Sequence, residues 1–410
     1  MLSRQVFFSK RNTTSVNSYT IRTASLFDGH ELSGPSAVTV TDGVITGVEP
    51  ASTELGESSA DNVVDLGPDS CLLPGLIDSH VHLAFDAGPD PVSSLQRIDD
   101  TELLAGMRTA ADSMLRAGIT TVRDLGDRGY LAVALGEEFR RHSHLGPEIL
   151  SAGPPLTTPL GHCHFFGGEV EGAEGLRQAV RERHARGCAV VKIMASGGNM
   201  TSESVAPHVS QYGLDDLRVV VDEAHRLGLP VAAHAHGVTA IMEAVEAGVD
   251  TLEHVSFLTE AGSRPDPEAL AAVAESGSFV SLTLGRDPGR PLPDHPAMIS
   301  QARIILGAFR DLYKMGAKVV LGSDAGIGPF KPHDVLPYAV SDAVDLGFSP
   351  LDALASVTSV AARACGVEGR KGRIAVGADA DLLAVGGNPV TAPAALRDVR
   401  AVFRAGVRVR

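Results

Sequence analysis

Five apolar runs, far apart in the chain, each carry side chains able to bind a metal ion at or near their ends. That recurrence restricts the chain to folds that gather strand ends into one place. The runs are Leu72-Leu73-Pro74-Gly75-Leu76-Ile77-Asp78-Ser79-His80-Val81-His82, Val190–Ala195 with Lys192 inside it, Val231-Ala232-Ala233-His234-Ala235-His236, Thr251-Leu252-Glu253-His254, and Val319–Asp324. In a strand, residues i and i+2 project from the same face, so His80 and His82 leave the chain side by side. Neutral imidazoles held this way suit zinc and its neighbours. Each position also has a plainer reading, a polar strand cap for a histidine and a snorkelling side chain for the lysine. Their joint occurrence favours metal chemistry.

Between these runs, strand-like and helix-like segments alternate. Leu103 to Ala117 reads as an amphipathic helix and Ile119–Asp124 as a strand, with further helices near 174–187, 214–228, 238–247, 266–277 and 298–316. Eight strand candidates result, which fits an α/β fold, a closed (β/α)8 TIM barrel, with the ligand-type residues at the carboxyl ends of the strands. A doubly wound sheet would also alternate. Closure is favoured because residues of the first, fourth, fifth, sixth and eighth strands must meet in one site. At 410 residues the chain is long enough for a barrel of about 250 residues and a smaller domain.

The two ends supply that smaller domain. Ala37–Val40 and Val44–Val48 alternate around an Asp42-Gly43 turn, and the same texture returns in Asp381–Val385 and Val399–Val407. The expected organisation is therefore a flexible leader over 1–19, a small β-sandwich from 20–70 and 370–410, and the barrel over 71–369. The basic, Ser/Thr-rich stretch Met1–Thr23 allows a transit peptide, although a disordered leader is the plainer reading.

A formal net charge of −15 argues against nucleic acid or an anionic membrane as partner. The four cysteines lack any CxxC spacing, which points to a reduced, cytoplasmic setting. A homo-oligomer acting on a small molecule is expected.

The motifs PGLIDSHVH, GITTVRDLG, KIMASGG, HAHG, TLEH and LGSDAG, closing with KGRIAVGADADLL and GNP, resemble the amidohydrolase superfamily, in its branch of imidazolonepropionase-like hydrolases, prolidases and ochratoxinase. The resemblance runs from about Ser25 onward. It implies two divalent ions, zinc foremost. His80, His82 and Asp324 would hold one, His234 and His254 the other, and Lys192, carboxylated by CO2, would bridge them. It implies hydrolysis of an amide bond in a peptide or N-acyl amino acid by a metal-bridging hydroxide, with Asp324 as proton shuttle and His236 left for substrate. Esterase, lactonase or phosphotriesterase chemistry on the same centre is the alternative, and a non-catalytic assembly protein the remote one.

Other residues are candidates for substrate contact. Tyr212 matches a tyrosine that touches the substrate carboxylate in related peptidases, with a surface aromatic as the alternative. Arg123 is either a substrate ligand or an ion-pair partner inside the barrel. His162 and His164, in a Gly-flanked loop after strand three, read as loop or substrate-contact residues; His333 follows strand eight and Arg286 and Arg290 follow strand seven, and one of these three cations could pair with a substrate carboxylate. Pro337-Tyr338 stands where acidic residues are common in relatives. The loops 85–100, 154–173, 199–213 and 285–297 carry no decodable motif.

Overall fold

The computed structural model describes residues 17–51, 62–201, 204–290 and 296–410. Eight parallel strands form its centre: β1 (Leu76–Val81), β2 (Ile119–Asp124), β3 (Glu148–Ser151), β4 (Val191–Met194), β5 (Val231–Gly237), β6 (Thr251–Thr259), β7 (Phe279–Thr283) and β8 (Lys318–Gly322). They pair in chain order as β3-β2-β1 and as β4-β5-β6-β7-β8. Single parallel bridges join these two groups at both seams, Val81 with Ala325 and Leu156 with Ile193. The backbone bonds Asp324 N to His80 O (2.7 Å) and Met194 N to Leu156 O (2.9 Å) span the same seams. The chain thus folds as the expected α/β TIM barrel. No described helix is long and apolar enough to cross a membrane.

Local sequence explains the alternation. Asp99 caps the helix Asp100–Arg116 by accepting from Thr101 N and Glu102 N, and Leu103, Met107, Ala110, Ala111 and Met114 form its buried stripe at helical spacing. The helix Leu131–Arg141 escapes the reading of the sequence, because its N-cap position is Tyr130 in the left-handed region with no side-chain cap.

The small domain is a sandwich of two sheets. One orders the N-terminal strands Val44–Pro50, Ser36–Thr41, Ser18–Thr23 and Val63–Asp65; the other orders Val407–Arg408, Val399–Arg404, Leu382–Gly386, Ser70–Pro74, Ser25–Phe27 and Leu32–Ser33. Ile21, Val38, Ile45, Leu72, Leu382 and Phe403 share a core between them. Asp42 (φ 49°) and Gly43 (φ 83°) make the expected tight turn. Two expected bounds shift. Ser18 and Tyr19 belong to a strand rather than to a leader, and Tyr19 donates to Gly406 O at 2.6 Å; the rest of the leader lies outside the described residues. The strand Ser70–Pro74 pairs with Leu382–Gly386, so the passage into the barrel falls at Gly75 rather than at 71.

Buried charges from KGRIAVGADADLL fasten the two domains together. Lys371 Nζ contacts Asp381, Glu148 (3.1 Å) and Asp379 (3.1 Å), while Arg404 holds Asp381 at 3.0 Å. Glu148 opens β3, so this network joins barrel to sandwich. Burial pushes the Asp381 carboxyl up, but Lys371 and Arg404 more than offset it and hold it below the usual carboxylate range. Its stabilising effect is therefore present above the unfolded-state value of about 3.9 and is lost as pH falls through the lower folded value. Replacing Lys371 with Met removes the one buried cation that touches all three carboxylates, leaving Asp381 to Arg404 and Glu148 and Asp379 to the exposed Arg370, and is expected to cost about 3 kcal/mol in denaturant unfolding. A loss within experimental error would remove the network from the stability of the fold.

Candidate metal centre

The carboxyl ends of β1, β4, β5, β6 and β8 converge on one buried cavity. It has a volume of about 220 Å3, and its lining includes His80, His82, Lys192, His234, His254 and Asp324. Two groups of ligand atoms stand out, His80, His82 and Asp324 in one and His234, His236 and His254 in the other, with the atoms of each group all within 4.8 Å of one another.

In the first group, Asp324 Oδ1 lies 3.5 Å from His80 Nε2 and 3.4 Å from His82 Nε2. Nitrogen and oxygen ligands each about 2.0–2.2 Å from one tetrahedral ion stand at about that separation. His80 Nε2 and Lys192 Nζ are buried without any hydrogen-bond partner. Buried polar atoms rarely go unpaired, so these fit a charged guest.

The opposite edges of the imidazoles are tied to the scaffold, which fixes their tautomers. His80 Nδ1 donates to Glu253 Oε2 at 2.8 Å, and Arg123 Nη2 donates to Glu253 Oε1 at 2.9 Å. His234 Nε2 donates to Gly197 O at 3.1 Å, turning its Nδ1 lone pair away from that carbonyl. His254 Nδ1 sits 3.3 Å from Thr283 Oγ1, and His236 Nδ1 sits 2.9 Å from Ser256 Oγ. Burial pulls His80 and His236 down to about 4 and holds His234 and His254 well below the ordinary histidine value. These four rings are neutral at pH 7, the form that coordinates metal. Burial also pulls Lys192 down to about 8. Burial pushes Asp324 up, but His80, His82 and Lys331 outweigh it and keep the carboxyl ionised.

The backbone is strained at two of these positions. His254 (φ 72°) and Asp324 (φ 55°) both occupy the left-handed region, at about 1–3 kcal/mol each. At His254 the departure breaks the strand alternation, so that Glu253 and His254, although consecutive, both reach inward. Around Asp324, Ser323 N donates to Asp78 Oδ1 (2.9 Å) and Lys331 Nζ donates to Ser323 O (2.6 Å). Gly322 lets β8 approach β1, since a Cβ there would lie 2.5 Å from His80 Cβ.

Several sequence expectations change. Arg123 is not at the cavity: it is 1 % exposed, donates to Ser79 O (2.7 Å) and Glu253, and acts under the floor as an ion-pair partner. Tyr212 is neither a surface aromatic nor a lining residue, since it is buried with its hydroxyl donating to Val170 O at 2.8 Å. His162, not His164, faces the cavity, its ring 4.7 Å from that of His234; His164 turns away against Phe165. His333 is buried behind the centre and donates from Nε2 to His82 O at 3.2 Å. His236 lines the cavity. Sequence reasoning misses Glu253, Asp78 and Lys331. Glu253 is visible in TLEH, beside a candidate ligand, whereas a single loop lysine gives no comparable signal.

The sequence profile of the amidohydrolase family matches residues 71–409. The chain is 29 % identical to ochratoxinase of Aspergillus niger over 350 residues, covering 78 % of this chain and 71 % of that protein. It is 27 % identical to imidazolonepropionase of Ectopseudomonas mendocina (strain ymp) over 405 residues, covering 90 % and 91 %. The crystal structure of a Xaa-Pro dipeptidase with bound methionine in the active site superposes with a TM-score of 0.83 at 26 % identity, covering 95 % of this chain and 99 % of that one.

Proposed function

Because the chain belongs to the amidohydrolase family, we propose that it hydrolyses an amide bond, in a peptide or an N-acyl amino acid, using two divalent ions, zinc foremost. The observation carrying this reading is the placement of two ligand groups in one cavity with an unpartnered lysine amine. His80, His82 and Asp324 would hold one ion, His234 and His254 the second, and Lys192 both. Lys192 can do so only as a carbamate: its neutral amine forms an N–C bond to CO2 as one C=O π bond opens, one proton leaves, and the product presents two oxygens that share a single negative charge. When bound, the ions would supply Lewis-acid polarisation of the carbonyl and a water acidified towards neutrality.

The remaining tasks fall to the chain's own groups. The Asp324 carboxylate accepts the proton of the attacking water and delivers it to the leaving amine nitrogen. His236, anchored through Nδ1 to Ser256, offers Nε2 to the substrate. Glu253 and Arg123 fix the His80 ring from below, and His333 fixes the backbone at His82. The likeness to a Xaa-Pro dipeptidase and to ochratoxinase favours amide over ester or phosphotriester substrates. We place the reaction in the cytoplasm, in keeping with four free, buried cysteines.

Four histidines, one carboxylate and one carbamate are too many ligands for a single zinc ion, which takes about four. Elemental analysis of the purified protein should approach two metals per chain. Turnover should be found among dipeptides and N-acyl amino acids rather than lactones or phosphotriesters. One metal per chain at full activity would leave Lys192 without a bridging role, and turnover confined to lactones or phosphotriesters would replace the amide reading.

A further inference from the structure

An imidazole that holds an ion through one ring nitrogen keeps a proton on the other, and that second nitrogen needs an acceptor. Four of the five rings in the two ligand groups have their second nitrogen tied to the protein: His80 to Glu253, His234 to Gly197 O, His254 to Thr283 and His236 to Ser256. His82 is the exception. Its Nε2 stands 3.4 Å from Asp324 Oδ1, on the side of the first ligand group, so the proton belongs on Nδ1, which is buried without any hydrogen-bond partner. Gly126 and Phe166 lie at that edge of the ring. A Cβ built on Gly126, just after β2, would be 3.6 Å from His82 Nδ1 and 3.4 Å from Phe166 Cε2. Phe85 packs on the His82 ring with centroids 5.5 Å apart, and is itself 5.5 Å from Phe166. Phe165 backs both, 6.2 Å from Phe85 and 4.9 Å from Phe166. Phe166 comes from the loop after β3; it is buried and does not line the cavity.

We propose that Phe85 and Phe166 are positioning residues for the His82 ligand, holding by packing the one coordinating ring that no hydrogen bond orients. This rests on the metal-binding part of the reading above and is independent of which bond is hydrolysed. A hydrogen bond from the second nitrogen stops the ring from turning and raises its basicity as a ligand. Without one, contact with neighbouring rings is what limits the rotation, and tilted aromatic contacts favour particular angles. His80, tied to the ionised Glu253, and His82, tied to nothing, are therefore unequal ligands of the same ion. The loop after β3 brings no ligand to that ion and acts on it through Phe166.

The test reads bound metal rather than turnover. Full-length protein loaded with zinc is titrated with chelators of graded strength, and the metal retained per chain is measured for the parent, Gly126→Ala, Gly126→Ser, Phe166→Leu and the Gly126→Ser/Phe166→Leu double variant. A Cβ at Gly126 meets its neighbours at ordinary contact distances and the backbone there is not left-handed, so both side chains fit. Serine brings a hydroxyl within reach of Nδ1, whereas alanine brings none. One of the two metal equivalents should be held about tenfold more tightly in Gly126→Ser than in Gly126→Ala, with the other unchanged. Phe166→Leu should weaken that same equivalent by about 10–100-fold, the range typical when a group orienting a ligand is lost, and the added serine should restore part of it. A phenylalanine that merely fills space would lower Tm and gain nothing from the serine. Equal retention in the serine and alanine variants would overturn the proposal, and this comparison stands even if Phe166→Leu does not fold. A folded Phe166→Leu with undiminished metal affinity, or both equivalents shifting together, would also overturn it. A parent protein that binds no metal would overturn the two-ion reading as well.

Discussion

Lys192→Ala is expected to lower kcat/KM by about 10³-fold or more and to reduce the bound metal, while leaving the apo protein at least as stable as the parent. The two effects have opposite physical origins. Lys192 Nζ is fully enclosed and makes no hydrogen bond, so without metal it is a desolvated amine whose removal relieves a cost. With metal bound, its carbamate would be the shared ligand, and loss of a Lewis-acid clamp worth several kcal/mol translates, at about 1.4 kcal/mol per decade, into roughly three decades of rate. A lysine serving only to pack the barrel would show the reverse pattern, with lower stability and retained turnover. Short carboxylic acids, or bicarbonate with a small amine, should restore part of the activity by supplying the missing oxygens. The parent protein should carry the mass of one added CO2, lost on denaturation in acid. Full activity and full metal content with an unmodified Lys192 would sink the carbamate.

Most of the barrel is legible in the amino-acid sequence, because its signals are local. Each strand is a short apolar run with turn residues on both sides, and the helices between carry their own periodicity. The candidate ligands are legible for the same reason: His80-x-His82 and His234-x-His236 follow directly from the two-residue repeat of a strand. What escapes depends on departures from regular geometry or on neighbours far away in sequence. Strict alternation puts Glu253 and His254 on opposite faces, and only the left-handed backbone of His254 brings both inward. Cys163 plays a similar part in its loop. Its φ of 57° accompanies a turn that packs His162 on His234 and sends His164 away.

Arg123 allows two readings in the sequence because its role is decided by acceptors on other strands, Ser79 O on β1 and the Thr251 hydroxyl and Glu253 carboxylate on β6. Lys331 is a plainer case. It is buried because the ends of β7 and β8 leave three carbonyls pointing at one spot, a demand that exists only once the ring is closed. Apolar periodicity predicts where strands and helices lie. Buried polar pairings are set by which elements become neighbours, and so they appear only with the fold.

Asp324 and His236 are the pair whose roles mutation should separate most sharply. Asp324→Asn keeps the shape and one coordinating oxygen, so metal should remain bound through the other ligands. The amide cannot take a proton from water, and turnover should fall by the about 10²–10⁴-fold typical of a lost general base. His236→Asn should instead leave metal content intact and act mainly on KM, because Nδ1 of this ring is engaged by Ser256 and its Nε2 is assigned to the substrate. The opposing possibility is concrete, since His236 lies in one ligand-competent group with His234 and His254, and its ring stacks on that of His254 at 4.7 Å. Metal lost in His236→Asn but retained in His234→Asn would exchange the two histidines. Near-normal turnover in Asp324→Asn would move the proton path to another group facing the cavity; His162 is the candidate, being the remaining imidazole in the lining outside both ligand groups.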